Sequence, residues 1–423
     1  MPFYQLSQDQ KTVRLPYQFG ALLTGTRPNL KASHVKVINN QQPPFVATLR
    51  PHQVPVATEA LQQLITYYST TLGVYPGFGK TILGIALAYA MGYCTVILCH
   101  RDTIARQWLK TIETCVPAYL PYTWMVGESE MPTTYLPPFI ICMDGRYEQI
   151  PEVIRAAVGT MIVDEAHLFC TKSRAPEPFD LKTESKSGCL LYFEPRYIII
   201  ESATLPRPDG MHSMIHALAG EHGVFRISTE PYTVILIETG IKVPEEKGSR
   251  GTRFDKLCLA LSQSPERTAI ILDLLVSNLN HKSIVLSRSA PYVEVLEYYL
   301  GLYKVTCDTL YRSKSSYSDS QVLIGTSDKI GVGFDEANAC EDYKGIPSDT
   351  LYLVHSYKNP FSFEQYRGRV MRGKRPTIVC FLDRNKISGR HFDELMPWIK
   401  YTNGQVVQVP YRAGLKLASL YKV

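Results

Sequence analysis

Thr71-Leu72-Gly73-Val74-Tyr75-Pro76-Gly77-Phe78-Gly79-Lys80-Thr81, continued by ILGIALAYAM (82–91), is the stretch that decides how this chain is read. An apolar run enters it, a glycine-rich turn sits in its middle and an apolar helix leaves it, which is the order of elements in a phosphate loop. Gly77 and Gly79 let backbone N–H groups approach phosphate oxygens, and Pro76 and Phe78 complete the turn. Lys80 brings positive charge to the β and γ phosphates, and Thr81 can place its hydroxyl on Mg²⁺. Val74 stands where the general G-x-x-x-x-G-K-[ST] motif has its first glycine, so the motif is met in part. A glycine turn in front of a helix, with no ligand, is the competing reading of this segment alone.

Outward from the loop, the apolar runs TVILCH (95–100), PFIICM (138–143), TMIVDEA (160–166) and YIIIESAT (197–204) are spaced for crossover helices between them. Runs apolar on both faces belong to parallel strands covered on both sides. A second series, IILDLLVSNL, KSIVLSRS, VEVLEYYLG, QVLIGTS, TLYLVHS and TIVCFLD, repeats the rhythm after the polar stretch KVPEEKGSRGTR (242–253). The expected class is α/β, in two domains. The expected boundaries are an irregular lead-in or accessory element over 1–45, a first domain over 46–228, a linker over 229–266, a second domain over 267–400 and a tail over 401–423.

Val163-Asp164-Glu165-Ala166-His167 closes one of the strands, the place where open α/β sheets present ligand-binding residues. Two adjacent carboxylates there can divide the work of hydrolysis. Asp164 would hold Mg²⁺, directly or through water, while Glu165 would orient and deprotonate the attacking water. An isolated Asp-Glu pair is as readily a solvated strand end. Its pairing with the phosphate loop points to ATP hydrolysis, because one nucleotide needs both.

With these two segments the chain resembles a superfamily 2 helicase of the DEAH-box kind, and further stretches match that family's motifs in order. Arg50-Pro51-His52-Gln53 resembles the upstream glutamine motif, in which Gln53 would read adenine and Arg50 would lie beside the nucleotide. His100-Arg101-Asp102 through Gln107-Trp108 resembles the segment whose polar groups track the nucleic-acid backbone, and Ser202-Ala203-Thr204 matches the S-A-T motif that couples ATP turnover to strand separation, together with His167. Ser287-Arg288 resembles the fourth motif. Gly325-Thr326 with Gly331-Val332-Gly333-Phe334-Asp335 resembles the fifth, and Gln365-Tyr366-Arg367-Gly368-Arg369-Val370-Met371-Arg372 matches Q-x-x-G-R-x-x-R.

The resemblance implies two tandem RecA-like domains, each a mainly parallel sheet flanked by helices, sharing one ATP site at their interface. Lys80, Asp164, Glu165, Gln365, Arg369 and Arg372 would be catalytic, Gly333 and Asp335 would join the phosphate loop in binding nucleotide, and Arg101, Arg288 and Thr326 would bind nucleic acid. Arginine suits the second-domain role because its planar fork stabilises charge on a transferring phosphoryl group. LRPHQ and the compact pair of lobes look like the group of XPB-type repair helicases and UvsW-type phage motors. GFGKT, TVILCHRDTIARQW and ATLPRP look like the transcript-release DNA helicases of poxviruses and related large DNA viruses. ATP and Mg²⁺ are the expected cofactors. DNA is preferred over RNA as partner, with the transcription machinery as a candidate protein partner in viral transcription, and the chain is expected to act as a monomer.

Composition permits this function without identifying it. Lys and Arg number 45 against 39 Asp and Glu, a mild excess for a nucleic-acid binder. The start, MPFYQLSQDQKTVRL, lacks the apolar core of a signal peptide, and no apolar run reaches the ~18 residues of a membrane span, so an intracellular soluble protein is expected, in a viral factory or virion if viral. The ten cysteines form no C-x-x-C and stand at no zinc spacing to histidine, which supports neither a zinc site nor a disulfide framework. Three other functions share much of this pattern: a translocase or annealing motor that does not separate strands, a motor subunit of a larger complex, and a nucleic-acid-binding scaffold without turnover.

Overall fold

The computed structural model describes residues 4–6, 11–26, 31–38, 44–170, 186–202, 212–242, 253–331 and 334–421. The chain divides into two compact units, Met1–Arg226 and Ile227–Val423.

In the first unit a short antiparallel pair, β1 (Gln5–Leu6) and β2 (Val13–Arg14), precedes a seven-stranded sheet. Its strands are β3 (Ser69–Val74), β4 (Thr95–Cys99), β5 (Trp124–Met125), β6 (Phe139–Met143), β7 (Thr160–Val163), β8 (Tyr197–Glu201) and β9 (Val224–Arg226). They lie in the order β5-β6-β4-β7-β8-β3-β9, and every pairing is parallel. Successive residues of a strand point to opposite faces, and both faces are covered. Ile97 and Cys99 join one apolar core with Leu72, Leu83 and Trp108, while Val96 and Leu98 join the other with Met161 and Val163. Double coverage is why these strands read as unbroken apolar runs.

The second unit repeats the plan with β10 (Tyr232–Glu238), β11 (Ser283–Ser287), β12 (Cys307–Leu310), β13 (Val322–Thr326), β14 (Thr350–Leu353), β15 (Thr377–Leu382) and β16 (Gly404–Pro410). The order is β12-β13-β11-β14-β15-β10-β16, again with parallel pairings only. Numbered by appearance, both sheets run third, fourth, second, fifth, sixth, first, seventh. Two seven-stranded parallel sheets flanked by helices are the expected fold class.

The stretches expected as a linker and as a tail both contain strands. Residues 229–266 include β10, which pairs with both β15 and β16, and residues 401–423 include β16. The polar run 242–253 drew the linker reading although YTVILIE just before it is a buried strand. β16 escaped notice because an edge strand with an alternating half-exposed pattern carries few large apolar residues. The lead-in also packs. The Tyr17 hydroxyl donates to the Arg196 carbonyl at 3.0 Å, and the N–H groups of Val37 and Ile38 donate to the Gly92 carbonyl. No helix among the described residues is long and apolar enough to cross a membrane.

Candidate functional site

β3 ends at Val74, the turn Tyr75–Gly79 follows, and the helix Lys80–Met91 begins at once. Gly77 and Gly79 have φ of 85° and 98°, left-handed values that only glycine adopts without strain. At Gly79 a side chain would also collide with the Gln53 amide. Gln53 opens the helix Gln53–Tyr67 and is buried; its Nε2 donates to the Phe78 carbonyl at 2.8 Å and its Oε1 accepts from the Arg50 N–H at 2.8 Å. The glutamine therefore holds the phosphate loop from behind. Phe78 is buried too, with the rings of His52 and Tyr75 edge-on to it at 4.9 and 5.2 Å. Half-buried Pro76 and exposed Gly77 lie along the turn, and Arg50 is exposed. The helix start offers unsatisfied backbone N–H groups beside Lys80 and Thr81, the arrangement that binds anions.

Asp164 follows β7 directly and is buried. The Trp108 indole N–H donates to its Oδ2 at 2.8 Å. Burial, then the neighbouring Glu165, push the Asp164 carboxyl up to about 6, against the opposing pull of Trp108 and Lys80. Glu165 has φ 48° and ψ 49°, a strained backbone for a residue with a Cβ and a common mark of functional positions. Its carboxylate lies 3.8 Å from Lys80 Nζ on one side and 3.4 Å from His167 Nδ1 on the other. His167 Nδ1 lies 3.1 Å from the Ser202 hydroxyl. Lys80, Glu165, His167 and Ser202 thus form one polar chain linking the phosphate loop, the DEAH segment and the strand end at β8. Ala203 and Thr204 lie outside the described residues.

Trp108 was grouped by its segment with groups that follow a nucleic-acid backbone; it is instead wholly buried and serves Asp164. Glu201, the last residue of β8, is a second buried acid that the sequence reading passed over. Its one sequence signal is a charge at the end of an otherwise apolar strand. Arg101, half-buried, stands in extended backbone immediately before the helix Asp102–Cys115.

In the second unit Arg369 donates to the carbonyls of Gly331, at 2.6 Å, and Phe334, while Arg372 pairs with Asp335 at 2.9 Å. The fifth and sixth motif segments are therefore joined by their own side chains. Gln365 is buried, and Gly333 lies outside the described residues. Arg288 is exposed, its guanidinium 5.0 Å from the Phe254 ring centre and 5.8 Å from that of Tyr357. Thr326 is half-buried at the end of β13.

The chain is similar to known proteins in sequence and in fold. The family model described as "Type III restriction enzyme, res subunit" matches residues 47–207, the span from the glutamine motif through the S-A-T segment. "Putative helicase 161L" of Invertebrate iridescent virus 6 is 25% identical over 389 residues, covering 86% of this chain and 83% of that protein. "Putative helicase 055L" of Frog virus 3 is 26% identical, covering 77% and 72%. The first unit is similar to that family, and the chain is a distant homologue of these viral proteins. "Probable helicase D10" of Escherichia phage T5 is a further relative, 25% identical over 226 residues, covering 52% of this chain and 46% of that protein. Among solved structures, S. cerevisiae Dbp5 bound to RNA and ADP BeF3 superposes with a TM-score of 0.57 at 13% identity, covering 84% of this chain and 89% of that one. The fold is that of tandem RecA-like domains.

Proposed function

We propose that this chain is an ATP-hydrolysing motor that acts on nucleic acid, a helicase or translocase working on DNA. The observation that carries the reading is the convergence, within one unit, of a phosphate loop, Lys80, a buried Asp164 and a Glu165 held between Lys80 and His167. The donor set fits Mg²⁺. Asp164 is a desolvated carboxyl at a strand end, and a bound cation would offset the burial that now raises its affinity for a proton. Thr81 and Asp164 would hold the metal, which would neutralise triphosphate charge. Lys80 and the backbone of Pro76–Gly79 would grip the phosphates, and Glu165 would take the proton of the attacking water. Arg369 and Arg372 would stabilise the charge that develops on the phosphoryl group, with Gln365 as the third catalytic residue of their motif. Gln53, buried with its amide committed to the Phe78 carbonyl and the Arg50 N–H, would steady the phosphate loop instead of reading adenine, with Arg50, Gly333 and Asp335 completing nucleotide binding, while Ser202, Ala203, Thr204 and His167 would pass the nucleotide state onward.

Arg101, Arg288 and Thr326 would contact the nucleic-acid backbone, contacts that fix position and carry little sequence information. The resemblance of GFGKT, TVILCHRDTIARQW and ATLPRP to transcript-release helicases favours a setting in viral transcription, alongside the transcription machinery. The match to a restriction-enzyme subunit favours a second reading, a motor subunit of a larger assembly.

Steady-state ATP hydrolysis with single-stranded DNA, duplex DNA or RNA tests the proposal. Mg²⁺-dependent turnover stimulated by one of the polymers is expected, with a loss of about a hundredfold or more in Glu165→Gln. Wild-type protein that hydrolyses no ATP under any of these conditions, or a Glu165→Gln variant as active as wild type, would refute it.

A further inference from the structure

Glu201 has no accessible surface, and neither of its carboxyl oxygens has a hydrogen-bond partner among the described residues. An unpaired acid in a core is costly, and its position shows what it is there for. The register sets it between the site's two strands: Val163 pairs with Ile200 on one side, and Leu72 pairs with Glu201 itself on the other. A Cβ at Gly84 would collide with Glu201 Oε1 and lie 2.9 Å from Trp108 Cη2. Gly84 stands one turn after Lys80 and Thr81 in the phosphate-loop helix. The carboxyl therefore fills a space beneath the first turn of that helix that only glycine leaves open, next to the indole that holds Asp164. Helix-interior glycine and an unpaired buried acid both cost stability, and here each exists for the other.

We propose that Glu201 is a positioning residue of the nucleotide site, fixing Asp164 and the first turn of the phosphate-loop helix in the arrangement that receives metal-bound triphosphate. The inference rests on the reading of this site as an ATP site. Asp164, Lys80 and Glu165 are the charged groups that act on Glu201 electrostatically, and burial, then Asp164, hold its carboxyl well above the usual range. The amide of glutamine keeps the shape and the polarity of this side chain. Glutamine can therefore replace it in function, and methionine, of similar length and fully apolar, cannot.

Three measurements on wild type, Glu201→Gln and Glu201→Met test this: thermal unfolding, Mg²⁺-dependent binding of a fluorescent non-hydrolysable ATP analogue, and steady-state hydrolysis. Glu201→Met is expected to unfold at or above the wild-type midpoint, because an unpaired acid has left the core, while its kcat falls about tenfold or more and the Mg²⁺ needed for half-maximal nucleotide binding rises. Glu201→Gln is expected to stay within about threefold of wild type in both activity readouts. If Glu201→Met does not fold, Gly84→Ala crowds the same carboxyl from the helix side and is expected to raise the Mg²⁺ requirement. A folded Met variant, or in its place a folded Gly84→Ala variant, with wild-type kcat and Mg²⁺ requirement would overturn the positioning role, as would a Gln variant as impaired as Met. Wild-type protein that binds no nucleotide would overturn the ATP-site reading and this inference with it, a result distinct from wild-type binding that the variants share.

Discussion

Replacing Asp164 by asparagine should make the nucleotide-free protein more stable while abolishing its hydrolysis. The carboxyl is buried and its pKa stands at about 6 where an ordinary aspartate has 3.8. At 1.36 kcal/mol per pH unit, the difference of about 2.2 places the cost of keeping it ionised in the fold at up to about 3 kcal/mol. The folded state binds the proton more tightly than the unfolded chain, so this contribution to stability is present below pH 3.8 and is lost as pH rises through about 6. Asparagine has the shape of the protonated acid and keeps an oxygen for the Trp108 N–H, so it escapes the loss. Thermal unfolding in metal- and nucleotide-free buffer should show a variant-minus-wild-type difference that is small near pH 4 and grows to a plateau above pH 7. The plateau should reach up to roughly 6–12 °C, at about 2–4 °C per kcal/mol for a unit of this size. Mg²⁺ with an ATP analogue should then raise the wild-type midpoint and leave that of the variant nearly unchanged. An Asp164→Asn protein less stable than wild type at pH 7.5, or a difference that does not vary between pH 4 and pH 7.5, would refute the reasoning.

Gly79→Ala combines a left-handed backbone at φ 98° with a collision against Gln53, so nucleotide binding should fall below detection in an equilibrium titration, and the unfolding midpoint should drop by the equivalent of about 1–3 kcal/mol. Wild-type affinity in that variant would show that the loop does not bind phosphate through this geometry. Arg267→Ala removes one partner of a wholly buried ion pair, Arg267 with Asp383 at 3.0 Å, and should destabilise the second unit by about 3–5 kcal/mol, seen as an earlier unfolding transition in calorimetry. A shift of under about 1 kcal/mol would mean that the pair contributes little to that core.

Much of the fold was legible because covered parallel strands leave unbroken apolar runs, and the phosphate loop and DEAH segment because their chemistry is local in the chain. What escaped depends on register and on neighbours distant in sequence. Trp108 stands 56 positions from the aspartate it serves, and only the β4–β7 pairing and the placement of the helix Asp102–Cys115 bring them together. Glu201 is placed by the alignment of β8 with β3 and β7, which the run YIIIE does not reveal. The pairing of Arg372 with Asp335 likewise joins two motifs whose sequences say nothing of each other. β10 was hidden by the polar run after it, and β16 by the sparse apolar content of an edge strand.

The repeated topology supplies an internal control on where the chemistry lies. β7 and β8 occupy the same places in the first sheet as β14 and β15 in the second. In the second unit the acid beyond the strand end, Asp383 after β15, is saturated: Arg267 Nε donates to both its oxygens at 3.1 and 3.0 Å, and the Thr239 hydroxyl donates at 2.7 Å. In the first unit Glu201 receives no hydrogen bond from the described residues, while Asp164 receives the Trp108 indole N–H and a backbone hydrogen bond from Glu165. The same scaffold can therefore neutralise a buried acid internally. Leaving Glu201 without a partner beside the first turn of the helix Lys80–Met91 sacrifices stability, which is the pattern expected when stability is given up for a ligand site.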